Sequence, residues 1–188
     1  PRNSFYANLI KGRDNVLSME IDEIKRKKAQ FLMRNEQFDE AVSLYKSITG
    51  PTDSVRQLFL VNYEGRNTYL DKYYFVRQPT HMVLDQLLDF VNKSKISGPN
   101  QAEYEFLVGN ALLSMCNSGD NSFLASDMRY YYKPQYPTEK SIENFFSGQM
   151  AEPWYRKAFS HCTNPKLGAL ITIQWGAAAP TVSKDEYG

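Results

Sequence analysis

His161 and Cys162 stand side by side, and a thiol next to an imidazole is the usual starting point for nucleophilic catalysis, with the imidazole drawing the proton from sulfur. Consecutive residues on a helix project about 100° apart, however, so the two cannot easily share a proton, and structural roles are expected for both. Glu103 and Glu105 are carboxylates of the kind used in acid–base hydrolysis, with nothing beyond their presence to recommend them. The chain has two histidines and two cysteines, and lacks a Walker loop, a dinucleotide fingerprint, a His-Glu-x-x-His run and a Gly-x-Ser-x-Gly elbow. No catalytic residue, no metal site and no cofactor is expected.

Two runs suit binding better than catalysis. Lys25, Arg26, Lys27 and Lys28 form the one dense basic run, which a helix spreads around its circumference as a solvated face. Tyr130, Tyr131 and Tyr132, with Tyr136 and Trp154, offer flat amphipathic rings able to stack on a sugar or a base. Three adjacent tyrosines cannot all face a core, although burial of two, with the third bonded through its hydroxyl, is the commoner outcome.

Composition limits the remaining possibilities. At 188 residues, 42% hydrophobic and 14% aromatic, the chain can bury a real core. One domain or solenoid segment is expected over residues 1–180, with 181–188 a frayed tail. Lys+Arg of 22 against Asp+Glu of 21 leaves a net charge of +1, so no global field draws the protein to nucleic acid or an anionic membrane. No stretch approaches the roughly 20 apolar residues of a transmembrane helix. The N-terminus, PRNSFYANLIKGRD, has no signal-peptide sections and no initial Met, which fits a mature or excised fragment. Cys116 and Cys162, without CxxC spacing, suggest two buried thiols.

The elements that must position these residues are helices. Leu17, Ile21, Ile24 and Phe31 recur on one stripe that Lys28 interrupts; Phe38, Ala41, Val42, Tyr45 and Ile48 mark a second helix that Gly50 and Pro51 stop. The aromatic stretch 55–78 reads as helical, although its "YYFV" has strand propensity. Pro79 and Thr80 open a helix with Val83, Leu84, Leu87, Leu88 and Val91 on one face. Asn100 and Glu103 resemble a capping box for the next, which carries Tyr104, Leu107, Val108, Ala111, Leu112 and Met115. A loop at 117–122 and a Pro-rich stretch precede a helix from about Ser141, and Pro153 breaks or restarts the run. Asn164 and Pro165 start a last helix with Leu167, Leu170, Ile171, Trp175 and Ala178 on one face, a strand at "ALITIQW" being the minority alternative.

The segment AQFLMRNEQFDEAVSLYKSI resembles a tetratricopeptide-type hairpin, with Ala29 and Leu32 at the small and following positions of the first helix and Phe38, Ala41, Tyr45 and Ile48 at the second-helix anchors. EYEFLVGNALLSM is similar, with Gly109 as the small residue and Leu112 three beyond, and AEPWYRKAFSHCTNPK resembles a second helix anchored by Tyr155 and Ala158. Ala29 and Gly109 are out of step with the roughly 34-residue period of regular repeats, and the first-helix Trp is absent. The resemblance therefore implies an all-α, irregular TPR-like α/α superhelix of antiparallel hairpins. It further implies a non-catalytic protein–protein interaction scaffold that binds a protein or peptide on a concave surface through Arg26, Gln30 and Met33 in the first hairpin and Phe106, Asn110 and Leu113 in the second. GNALLSM with WYRKAFSHCTNPKLGALITIQWGAA also resembles large helical-repeat lipoproteins of Bacteroidetes cell envelopes. That likeness implies an envelope location and carries the alternative, a glycan-binding protein using Tyr130, Tyr131, Tyr132, Tyr136 and Trp154.

Overall fold

In the computed structural model of the chain, the described residues are 21–48, 54–55, 58–59, 77–116, 121–126 and 140–178. They are mostly helical: seven helices, with a two-stranded pairing as the only sheet among the described residues. The all-α expectation holds at that level.

Helix α1 runs through 21–34 and α2 through Phe38–Lys46. The turn between them is closed by backbone chemistry. Gln37 N–H bonds to Leu32 O at 2.9 Å and Glu36 N–H to Met33 O at 3.2 Å, the crossed pair that satisfies the last carbonyls of a helix. This closure requires a left-handed residue, and Glu36 takes it with φ of 59° although it is not glycine. The buried side of α1 is Ala29, Leu32 and Met33; Ile21, Ile24 and Phe31 are exposed. Of the stripe expected to face the core, Ile21, Ile24 and Phe31 therefore point outward and Leu17 lies outside the described residues, while Ala29, Leu32 and Met33 are the positions that pack.

Strand β1, Ser54–Val55, pairs antiparallel with β2, Gln78–Pro79, with Ser54 opposite Pro79. Both ends of the stretch read as one helix are thus extended; residues 56–57 and 60–76, and with them "YYFV", lie outside the described residues. Proline tolerates its place in β2 because that strand is short and at an edge.

Helix α3, Thr80–Ser94, buries Val83, Leu84, Leu87 and Val91, as its spacing predicts. Helix α4, Gln101–Met115, is apolar nearly all round and lies at the centre, against α3, α6 and α7. The capping box does not form: Asn100 makes no side-chain cap bond, and only its backbone oxygen joins the helix, accepting from Tyr104 N–H at 3.1 Å. A 3₁₀ turn at Ser122–Leu124 leads towards α5, Lys140–Ser147, after which Gly148 turns the chain at φ of 77°.

Helix α6, Glu152–His161, carries Pro153 in its first turn, where the missing N–H has no partner to lose. Asn164 then caps α7, Pro165–Ala178, its Oδ1 accepting from Lys166 N–H at 3.0 Å and Leu167 N–H at 3.4 Å. The "ALITIQW" stretch is helical. Tyr155, Phe145, Met33, Leu58, Leu84, Leu87, Leu112 and Met115 are among the largest fully buried side chains, and they come from both halves of the chain.

Candidate functional site

The six residues assigned to a concave binding face do not form an open one. Gln30, Met33, Phe106 and Asn110 are buried, and Arg26 and Leu113 are partly so. Arg26 pairs with Glu23 at 3.7 Å along its own helix. Phe106 packs against the Tyr155 ring, 6.0 Å between centroids. The Asn110 amide donates to Phe59 O at 3.1 Å and its Oδ1 accepts from the Tyr155 hydroxyl at 2.9 Å, so its polar atoms are engaged inside the protein.

Within the first set, Gln30 is taken up by the chain's own residues 121–126, together with Arg34 and Tyr45 beside it. Gln30 Nε2 donates to Phe123 O at 2.9 Å, Tyr45 Oη donates to Leu124 O at 2.7 Å, and Arg34 Nη1 donates to Ala125 O. Three donors from α1 and α2 thus hold three successive carbonyls of the chain's own 3₁₀ turn. Sequence reasoning missed Arg34 and the ligating role of Tyr45, because nothing local ties 30–45 to 123–125.

Trp154 does not stand available for stacking on a sugar. It is buried, edge-on to Phe38 at 6.2 Å, with Lys157 Nζ 4.8 Å from its ring centroid. Tyr130, Tyr131, Tyr132 and Tyr136 lie outside the described residues. Beside Trp154, partial desolvation pushes the Glu36 carboxyl up from its ordinary value although the residue as a whole is exposed; the Trp154 indole N–H, without a hydrogen bond of normal geometry, and the Lys157 ammonium oppose that rise.

His161 pairs across helices rather than with its neighbour. Its Nδ1 lies 2.8 Å from Glu105 Oε2 and 3.1 Å from Oε1, joining α6 to α4. Nδ1 is thus the ring nitrogen that faces both carboxylate oxygens. Glu105 is buried, while the imidazole is half exposed. Among the described residues no hydroxyl or thiol bonds to His161, and the Cys162 thiol donates to Asn164 O at 3.2 Å. The expected separation of His161 and Cys162 is what the geometry has. Cys162 is only half buried, whereas Cys116 is fully buried and desolvation pushes its thiol up to about 12. Glu103 is exposed and points away from Glu105.

The exposed apolar side chains lie elsewhere. On α6 and α7, Phe159 is 51% exposed, Leu170 44% and Ile173 46%. The Phe159 ring leans on Trp175 at 6.1 Å, and the Arg156 guanidinium sits 5.9 Å from the Trp175 centroid. Leu170 and Ile173 are three residues apart and share a face of α7 opposite to the buried Ile171. The signal was present in the sequence, since α7 has more apolar residues than one face can hold.

No described helix is long and apolar enough to cross a membrane. No protein-family model, curated protein or solved structure matches the chain.

Proposed function

We propose that the chain is a non-catalytic protein–protein interaction scaffold, an irregular tetratricopeptide-like α/α array that binds a partner protein through an apolar helical face. The observation that carries this reading is the outward side of α7. Its inner side, with Ile171 and Ala178, packs on the array, and its outer side still presents Leu170 and Ile173, with Phe159 of α6 exposed as well. A helix that is apolar on both sides is ordinarily covered on both. The array covers one side, and a partner helix covers the other.

The binding surface in this proposal differs from the concave set inferred from resemblance, because Gln30, Met33, Phe106 and Asn110 of that set are buried. The non-catalytic part rests on the catalytic motifs that the sequence lacks.

The test is affinity capture from the native organism with wild-type chain and with Leu170→Glu/Ile173→Lys. Wild type should retain a protein that the variant loses at least tenfold, with melting temperature and helicity unchanged, because both side chains are exposed. Equal retention by both would remove this face. Retention on a polysaccharide with no protein partner would replace the scaffold with the glycan-binding alternative.

A further inference from the structure

The basic run from Lys25 to Lys28 lies on α1, and its four cations are not equivalent. Lys25 pairs with Asp22 at 3.6 Å, and its Nζ donates to Ser47 O at 2.9 Å, just past the end of α2. Arg26 pairs with Glu23 at 3.7 Å and Lys27 with the same carboxylate at 3.5 Å. Lys28 is exposed and makes no ion pair among the described residues. At about 100° per residue, Ile21, Ile24, Lys27, Lys28 and Phe31 fall within an arc of about 120°, and Asp22, Glu23, Lys25 and Arg26 fall outside it. Ile21 is 52% exposed, Ile24 68% and Phe31 41%. The outward face of α1 is therefore apolar and cationic, and no carboxylate of α1 stands on it.

That combination selects among occupants. The core of a protein interface is depleted of lysine, yet around the helix Lys28 stands between Ile21 and Ile24. A second copy of the same face would set lysine against lysine. The face also lacks a directional polar group: its ammonium ions attract charge without fixing geometry, and the neighbouring Asn35 amide is bonded to Phe31 O at 2.8 Å. An anionic lipid surface suits each of these features, since isoleucine and phenylalanine enter the acyl boundary while lysine stems reach back to the phosphates.

We propose that α1 is an interfacial helix that lays Ile21, Ile24 and Phe31 into an anionic bilayer surface, with Lys27 and Lys28 at the headgroups. The attraction is local, since the whole chain carries only +1. Ten residues of helix span about 15 Å, so the contact is peripheral and sensitive to salt. No rearrangement is required, because these side chains already face outward, and the proposal does not depend on the partner face of α7.

The test is co-sedimentation of the full chain with phosphatidylcholine vesicles, pure or containing about 30 mol% phosphatidylserine, in about 0.1 M salt. The chain should partition at least tenfold more onto the anionic vesicles, and about 0.5 M salt should remove most of that difference. Ile24→Ser and, separately, Lys27→Gln/Lys28→Gln should each lower partition at least fivefold with helicity and melting temperature unchanged, since all three side chains are exposed. No binding to anionic vesicles, equal binding to neutral ones, or binding indifferent to these substitutions would each overturn the proposal. Self-association, or capture of an acidic protein, that Ile24→Ser removes while vesicles stay unbound would overturn it as well and give the face to that occupant.

Discussion

Tyr155 of α6 lies flat against the backbone of Gly109 in α4: a Cβ built on Gly109 would come within 2.7 Å of the ring's Cε1 and 2.9 Å of its Cδ1. The ring cannot retreat easily, because it is fully buried and its hydroxyl is bonded to Asn110 Oδ1. Close approach of the two helices therefore depends on the absence of one methyl group.

Gly109→Ala should lower stability by about 1–3 kcal/mol, overpacking outweighing the roughly 1 kcal/mol that alanine gains over glycine in a helix. Gly176→Ala is the matched control, since that glycine also lies in a helix but has nothing within 4 Å of a built Cβ. It should raise stability by roughly 0.5–1 kcal/mol. Urea unfolding midpoints of the two variants should move in opposite directions.

His161→Ala should destabilise by about 1–3 kcal/mol, because among the described residues it leaves the buried Glu105 carboxylate with the Gln101 amide at 3.5 Å as its one side-chain donor. Adding Glu105→Gln should recover most of the loss. A double-mutant cycle with no coupling would show that the pair is incidental.

Glu36 combines two costs at one position. Glu36→Gly should stabilise by about 1 kcal/mol through the left-handed φ. Glu36→Gln tests the charge alone. A carboxyl raised in the folded state costs nothing below its ordinary value of 4.5 and destabilises as pH rises through the folded value. The advantage of Glu36→Gln over wild type should therefore be present at pH 7 and vanish as pH falls towards 4.5, read from melting temperatures across that range.

Thiol titration should separate the cysteines. With a chromogenic disulfide at pH 8, the native chain should react at Cys162 alone, since the Cys116 thiol is buried and pushed up to about 12. Denaturant should bring the second equivalent, and rapid reaction of both in the native state would place Cys116 at the surface.

The helices α2, α3, α4, α6 and α7 were legible because their apolar spacing and turn residues are local signals: Val83, Leu84, Leu87 and Val91 are buried where the spacing puts them, and Asn164 caps where its type predicts. On α1 the local signal misled. Ile21, Ile24 and Phe31 form the better stripe, yet Ala29, Leu32 and Met33 face the core, because which face of a helix is buried is set by what packs against it and not by its spacing alone. Asn100 has the residue type of a cap and the Glu103 spacing of a capping box, yet its side chain makes no cap bond. Among the site residues, Gln30, Met33, Phe106, Asn110 and Trp154 are buried, which residue type alone does not reveal. Gln30 and Asn110 have the polarity of ligand contacts, and only long-range structure reveals that their partners are Phe123 and Tyr155.

Those long-range bonds also set how the molecule comes apart. In a regular solenoid each repeat touches only its neighbours, so an end can fray while the rest persists. Here Gln30 reaches across 93 residues to Phe123, Arg34 across 91 to Ala125, and Tyr45 across 79 to Leu124. Asn110 meanwhile joins Phe59 on one side to Tyr155 on the other, across 51 and 45 residues. The first helices cannot melt without releasing a turn that follows the central one, and the central one cannot loosen without freeing α6. Contacts of such long sequence separation slow folding, and deleting the first hairpin should cost core packing as well as two helices.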